Sequence, residues 1–288
     1  MNGLPVLSMV LALIAAFLFA CASVAQQSAA SAVPEGQSLI TTLIRSPRWW
    51  AGLCGDIGGY GFQVAALWVG SVLVVQPLIV SMLLFALPLS AKFAGYRMTR
   101  STWVWAVALA AALAVFIVVG DPTEGNSDAP FSDWMIPLAI ASGVVLVATV
   151  AGLLSTNPGW RALLLGAAGG VLFGMAVALT KYVTDLLGTG LVEAVTAWQT
   201  YALVGCGILG FYLQQRAFQS GPLSASLPAI TIGEPFGAAF LGITVLDERV
   251  RDDAFSLVVI AVCVTVMIVA TVALSRAQAK VTGHPVAR

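Results

Sequence analysis

Charge is what this chain has least of. Of its 288 residues, 13 are Lys or Arg and 13 are Asp or Glu, together 9%, against roughly 25% in a soluble domain. The hydrophobic share is 59%, more apolar surface than a soluble core of this length can bury. Hydrophobic windows of about 20 residues recur along nearly the whole sequence, the pattern of membrane-crossing helices. Net charge is zero and no basic patch with interleaved aromatics occurs, so nothing points to nucleic acid as a partner. The single histidine, His284, lies in the polar C-terminal tail; histidine-based catalysis or metal binding inside the bilayer is excluded. Four cysteines, Cys21, Cys54, Cys206 and Cys263, sit in apolar segments without CxxC or metal-ligand spacing and read as small buried residues. No glycine-rich phosphate loop ending in Gly-Lys-Ser or Gly-Lys-Thr is present, so nothing signals nucleotide hydrolysis.

What remains is an all-α integral membrane chain with about nine spans. The first, about Leu4 to Gln27, has no Lys or Arg before it and a poor cleavage site before Cys21, so it reads as a retained helix rather than a signal peptide. The loop Ser28 to Arg48 follows, in which Leu39 to Ile44 is expected along the membrane surface. Trp49 and Trp50 anchor the second span, about Ala51 to Val69, at headgroup level. The third runs about Ser71 to Phe93, the fourth Trp103 to Gly120. An acidic loop without Lys or Arg, Asp121 to Asp133, precedes the fifth, about Trp134 to Leu154. The sixth runs about Trp160 to Leu187, the seventh Val192 to Phe218, the eighth lies within Ser220 to Val250, and the ninth runs about Ala254 to Leu274. Ser275 to Arg288 reads as a solvated tail.

The eighth span carries the main functional signal. Glu234 stands near its middle, among Pro222, Pro228 and Pro235. An ionised carboxylate in hydrocarbon costs several kcal/mol, so it faces protein or a wet cavity, or takes up a proton. Each proline removes a backbone donor, tolerable in a membrane where neighbours or water satisfy the freed groups. A glycine–acid–proline cluster at mid-span is what a substrate path looks like. Asp56, set among five glycines in the second span, is a second candidate and should face the bundle interior. Gln63, Gln76, Gln214 and Gln215 would supply neutral hydrogen bonds to a solute. Pro77, Pro228 and Pro235 are the expected helix breaks. Gly166, Gly170 and Gly174, four apart, form one flat packing stripe. Lys181 and Asp185, also four apart, can pair on one face; Lys181 either snorkels to the interface or lines the path. Trp198 either bounds a flat substrate or packs as an interfacial aromatic, the second reading being preferred. The cluster from Asp247 to Asp253 reads as a solvated loop.

Nine spans place most Lys and Arg on one side, so the positive-inside rule puts the N-terminus outside and the C-terminus in the cytoplasm, across the inner or plasma membrane. Sliding the chain on itself by 151 positions aligns Gly59 with Gly210, Gln63 with Gln214, Ala66 with Ala217, Gly70 with Gly221 and Pro77 with Pro228. A slide of 154 aligns Leu18 with Leu172, Phe19 with Phe173 and Ala22 with Ala176. The first and sixth spans are an odd number of helices apart, so the two halves should be inverted, with a site at mid-membrane between them. This gives residues 1–120 as a first four-helix repeat, 121–158 as an acidic outer loop and connecting helix, 159–275 as a second, inverted four-helix repeat, and 276–288 as a cytoplasmic tail.

The run Gly233 to Arg249, GEPFGAAFLGITVLDER, resembles the end-of-repeat pattern of EamA-type transporters in the drug/metabolite transporter superfamily. Glu234–Pro235, Ala238, Ala239, Gly242 and Glu248 fill that pattern. The first half fits less well, with Lys92 or a neighbour where an acid is often found. LVVQPL and the nine spans lean towards the NIPA-type magnesium transporter branch. The resemblance implies a secondary transporter, not an enzyme, without ATP hydrolysis or cofactor. Its expected partners are a small-molecule or ion substrate and the lipid bilayer, with a homodimer left open. Alternatives are a magnesium or divalent-cation transporter, for which Asp56 and Glu234 are the oxygen-anion candidates, and a lipid-carrier flippase or non-transporting envelope protein. A membrane enzyme acting on lipid-linked phosphates or sugars fits worst, for want of clustered acids, histidines or arginines at one membrane face.

Overall fold

The computed structural model describes residues 4–31, 44–94, 98–123, 125 and 129–282. Most of Leu39 to Ile44, part of the acidic loop and His284 lie outside these residues. Among the described residues the chain is all-helical: α1 (Leu4–Ser31), α2 (Pro47–Trp68), α3 (Val72–Val80), α4 (Met82–Ala94), α5 (Arg100–Gly120), α6 (Phe131–Leu154), α7 (Pro158–Thr189), α8 (Leu191–Thr196), α9 (Trp198–Ser220), α10 (Leu223–Thr244) and α11 (Ala254–Thr282). Seven stretches are long and apolar enough to cross a membrane: α1, α3 with α4, α5, α6, α7, α10 and α11. The protein is therefore a multi-pass membrane protein. The helices at the second and seventh expected positions, α2 and α9, are long but not among these seven. Five glycines, Arg48 and Asp56 dilute α2, and four glutamines with Arg216 dilute α9.

Helix starts follow local capping chemistry. Ser46, Ser71, Thr99 and Asn157 each accept a hydrogen bond from a first-turn N–H of α2, α3, α5 and α7, with Pro47 and Pro158 at the first helical positions. Asp253 does the same for Ser256 of α11, and hydrogen bonding from Ser256 holds the Asp253 carboxyl below the usual range.

Two expectations about helix ends change. The third span is interrupted at Ser81, one turn after Pro77, where the Ser81 hydroxyl and N–H both turn back to the Leu78 carbonyl. By contrast α10 stays one helix through Pro228 and Pro235. Each proline there removes one rung, and the rest of the ladder persists. At the C-terminus, α11 continues to Thr282 and Ser275 and Gln278 are buried, so the helix runs into what reads as tail. The cysteines also depart from expectation. Cys263 is buried, Cys21 and Cys206 are partly so, and Cys54 is exposed. Outside a membrane helix lies hydrocarbon, so a thiol needs no burial there.

Packing centres on α7, which meets α10, α9, α6 and α2. The predicted glycine stripe is the contact: Gly166 lies on the backbone of Ser226, Gly170 on Ile230 and Gly233, and Gly174 on Glu234, Gly237 and Ala238. A methyl at Gly174 would overlap the Glu234 carbonyl and the Ala238 N–H, both backbone atoms. The pairs α1–α2 and α7–α9 are the other close contacts. Gly59 of α2 abuts the Phe19 ring of α1, where an added Cβ would lie 2.8 Å from it. Gly210 of α9 abuts the Phe173 ring of α7, at 3.1 Å. Gly70 meets Ser8, and Gly221 meets Ala162. Further, α5 packs on α11 and α3 on α10.

Gly174→Ala should lower stability by about 1–3 kcal/mol, because backbone cannot yield to the new methyl. Gly207→Ala on α9, with open space around it, should be neutral or stabilise by up to about 1 kcal/mol through helix propensity. Thermal unfolding of both variants in the same detergent checks this.

Candidate functional site

The start of α3 lies against the end of α10: Gly242 packs on the Val72 side chain, where an added Cβ would stand 3.7 Å away. One turn along α3 sits Gln76, and about two turns before Gly242 on α10 sits Glu234. The two helices are thus antiparallel, and the Gln76 amide and the Glu234 carboxylate are neighbours across them. Glu234 is half-buried. Gln76 is 2% exposed, and beyond its closeness to the Glu234 carboxylate its Nε2 has no hydrogen-bond partner among the described residues. A buried amide N–H that loses its acceptor costs about 1–3 kcal/mol. Pro77 and Pro235 flank the pair in sequence, leaving the carbonyls of Leu73 and Thr231 without their usual donors. Behind the pair, Gly174 of α7 presses on the Glu234 backbone, which fixes how deep the carboxylate sits. Gln63 of α2 is also buried, with its Nε2 unpartnered.

Glu248, in the segment between α10 and α11, is 1% exposed. Its Oε1 accepts from the Val72 N–H at 2.7 Å and its Oε2 from the Leu73 N–H at 2.9 Å. A carboxylate here matches both the orphan N–H groups and the positive end of the helix dipole. Asp247 just before it adopts a left-handed φ of 52°, which Asp tolerates better than most residues, and the Glu248 N–H donates to Gly242 O at 3.0 Å. The same segment reaches α5: Thr123 N–H donates to Arg249 O, Arg251 N–H to Gly120 O, and the Arg251 guanidinium pairs with Asp121 at 3.1 Å. The expected solvated loop is therefore exposed at Asp247, Arg249 and Asp252 but anchored inward at Glu248.

The other candidates lie apart from this pair. Asp56 is half-buried on α2, and its Oδ2 accepts from Gln26 Nε2 of α1 at 2.5 Å. Lys181 is buried and pairs with Asp185 at 3.1 Å, so it does not snorkel. Trp198 packs edge-to-face on Phe131 at 5.4 Å and on Trp134 at 5.6 Å; Trp134 in turn meets Tyr182. That is the packing role preferred for it. Gln214 and Gln215 are half-buried on α9, with the Gln214 backbone against Gly169. Among the described residues no three His, Cys, Asp or Glu side chains converge.

No family model matches the chain, and no solved structure matches it. An uncharacterized protein of Corynebacterium glutamicum is 36% identical over 279 residues, covering 94% of this chain and 95% of that protein. The chain belongs to the same family.

Two residues escaped sequence reasoning as contacts. Gln26 reads as the end of the first span, but α1 runs to Ser31 and Gln26 faces Asp56. Glu248 sits in a polar run, and its partners are 176 and 175 positions away; its place in the end-of-repeat pattern was the available signal. Glu248→Ala should cost about 1–3 kcal/mol by stranding two buried N–H groups. Asp252→Ala, exposed in the same segment, should stay within about 0.5 kcal/mol. Unfolding temperatures of the purified full-length variants test the contrast.

Proposed function

We propose that the protein is a secondary transporter that moves a small solute by alternating access, with Glu234 as the residue that binds a cation, a proton or a substrate amine. The observation that carries this proposal is the Gln76–Glu234 pair: a half-buried carboxylate beside a buried amide with no other partner among the described residues, where α3 and α10 cross between two prolines. Such a site offers a negative charge and an amide inside a membrane bundle, which a partly hydrated, cationic or polar solute satisfies. Gln63, a second buried amide without a partner among the described residues, is assigned to the same polar lining.

The inverted-repeat architecture is part of the proposal, in nine spans that include α2 and α9. Its support is in the contacts. Gly59–Phe19 and Gly210–Phe173 are the pairs that the sequence offsets align, and they make the same glycine-on-phenylalanine contact in each half. Gly70–Ser8 and Gly221–Ala162 correspond in the same way. Moreover α5 packs on its counterpart α11, and α3 on its counterpart α10, the contacts made by elements that lie next to a two-fold axis in the membrane plane. The resemblance to EamA-type transporters agrees with this arrangement. In it, the Gln76–Glu234 pair falls between the halves, where rocking one against the other exposes it to either side.

Purified full-length protein in proteoliposomes, screened for counterflow of labelled amines, amino acids, nucleosides and magnesium, tests the proposal. A saturable flux should appear for one of these and vanish in Glu234→Gln, while that variant still elutes as a single folded species. Wild-type flux through Glu234→Gln would remove the carboxylate from the mechanism.

A further inference from the structure

A second polar feature lies away from the Gln76–Glu234 pair, at the end of the bundle where α4, α5 and α11 meet. A groove of about 370 Å³ opens there, within the size range of small-ligand sites. Its polar wall is Arg276 with the hydroxyl residues Thr99, Ser101 and Thr102; its apolar wall includes Leu87 and Trp105. Arg276 takes part in none of the ion pairs formed among the described residues. Every residue lining the groove comes from one of two stretches, Ile57 to Gly120 or Ala254 to Arg288. Neither stretch contains an Asp or a Glu. Both carry cations at this end: Lys92 and Arg100 in the first, Arg276 in the second.

Among the described residues that line it, the groove therefore offers an arginine and hydroxyl groups and no carboxylate. We propose that it holds the phosphate of an anionic phospholipid, with Arg276 on the phosphate oxygens and the Ser101 hydroxyl available to the headgroup, joined by the hydroxyl hydrogen that the Thr99–Thr102 pair leaves unused. Guanidinium and hydroxyl groups are the usual partners of a phosphate diester, and basic pockets between helices at a membrane edge select anionic headgroups. The apolar wall argues for a lipid over a soluble phosphate ester. The groove is lined by helices long and apolar enough to cross the bilayer, so acyl chains can run on into the hydrocarbon while the indole of Trp105 sits at headgroup level.

The test is titration of detergent-solubilised full-length protein with short-chain phosphatidylglycerol, short-chain phosphatidylcholine or inorganic phosphate, with bound lipid read by native mass spectrometry. Phosphatidylglycerol should bind at least about fivefold more tightly than phosphatidylcholine, the factor one basic residue contributes near a membrane surface. Arg276→Gln should abolish that preference and Arg276→Lys should keep most of it. Arg48→Gln, at a basic position on α2, should leave it unchanged. Ser101→Glu, at an exposed position, should abolish the preference independently, and it serves if Arg276→Gln does not fold. Equal affinity for the two lipids, or an unchanged preference in Arg276→Gln and Ser101→Glu, overturns the proposal. Displacement of phosphatidylglycerol by equimolar inorganic phosphate would overturn the lipid assignment in favour of a soluble phosphate.

Discussion

Everything in this bundle depends on how closely α7 and α10 approach. In hydrocarbon, two helices gain nothing from hiding apolar surface, because lipid tails are as apolar as leucine; what holds them is van der Waals contact at short range. Gly166, Gly170 and Gly174 on one side, with Gly233 and Gly237 on the other, strip the interface of side chains so that backbone meets backbone. Since α7 also supports α6, α9 and α2, the depth of α10 is set by what is missing from these positions. Glu234 sits one residue beyond Gly233 on that rail. Its half-buried position follows from the glycines around it as much as from its own chemistry.

Polar groups inside the bundle divide into two kinds. One kind is internally settled: Lys181 with Asp185, Asp56 with Gln26, Tyr60 with Thr180, Ser8 with the Ala66 carbonyl, and Glu248 with two N–H groups of α3. These interactions hold helices in register, and their cost of burial is offset by their partners. The other kind is buried without a partner of this sort among the described residues: the amides of Gln63 and Gln76, the indole N–H of Trp134, the Arg161 Nε–H and the hydroxyls of Thr149, Ser226 and Ser275. Native interiors rarely leave such groups without a role. Of these, Gln76 stands beside the half-buried Glu234 carboxylate, and that distinguishes the α3–α10 crossing.

Sequence periodicity revealed the glycine stripe and the Lys181–Asp185 pair, because a spacing of four puts residues on one helical face whatever the tertiary fold. Hydropathy located the seven stretches long and apolar enough to cross a membrane, because it needs no knowledge of neighbours. It could not say which polar residues meet. In a membrane helix both the lipid face and the packed face are apolar, so the amphipathic signal that orients a soluble helix is weak, and Glu234 ranks ahead of Asp56 only on its local prolines and mid-span place. The fold supplies their neighbours, Gln26 for Asp56 and Gln76 for Glu234. Proline was legible as a weak point but not as an outcome. Pro77 is followed by an interruption at Ser81, whose hydroxyl satisfies a loosened carbonyl, while α10 carries two prolines unbroken. Glu248 was hidden for a different reason: its neighbours in sequence are solvated, and its partners are far away along the chain.

That distance bears on how the protein is made. The first turn of α3 is capped by a residue that leaves the ribosome 176 positions later than Val72. Until then, two of its amide hydrogens lie at the edge of a bilayer with no carboxylate to receive them. The first half of the chain alone therefore lacks the cap that completes α3, and that contact forms only once the segment after α10 is present.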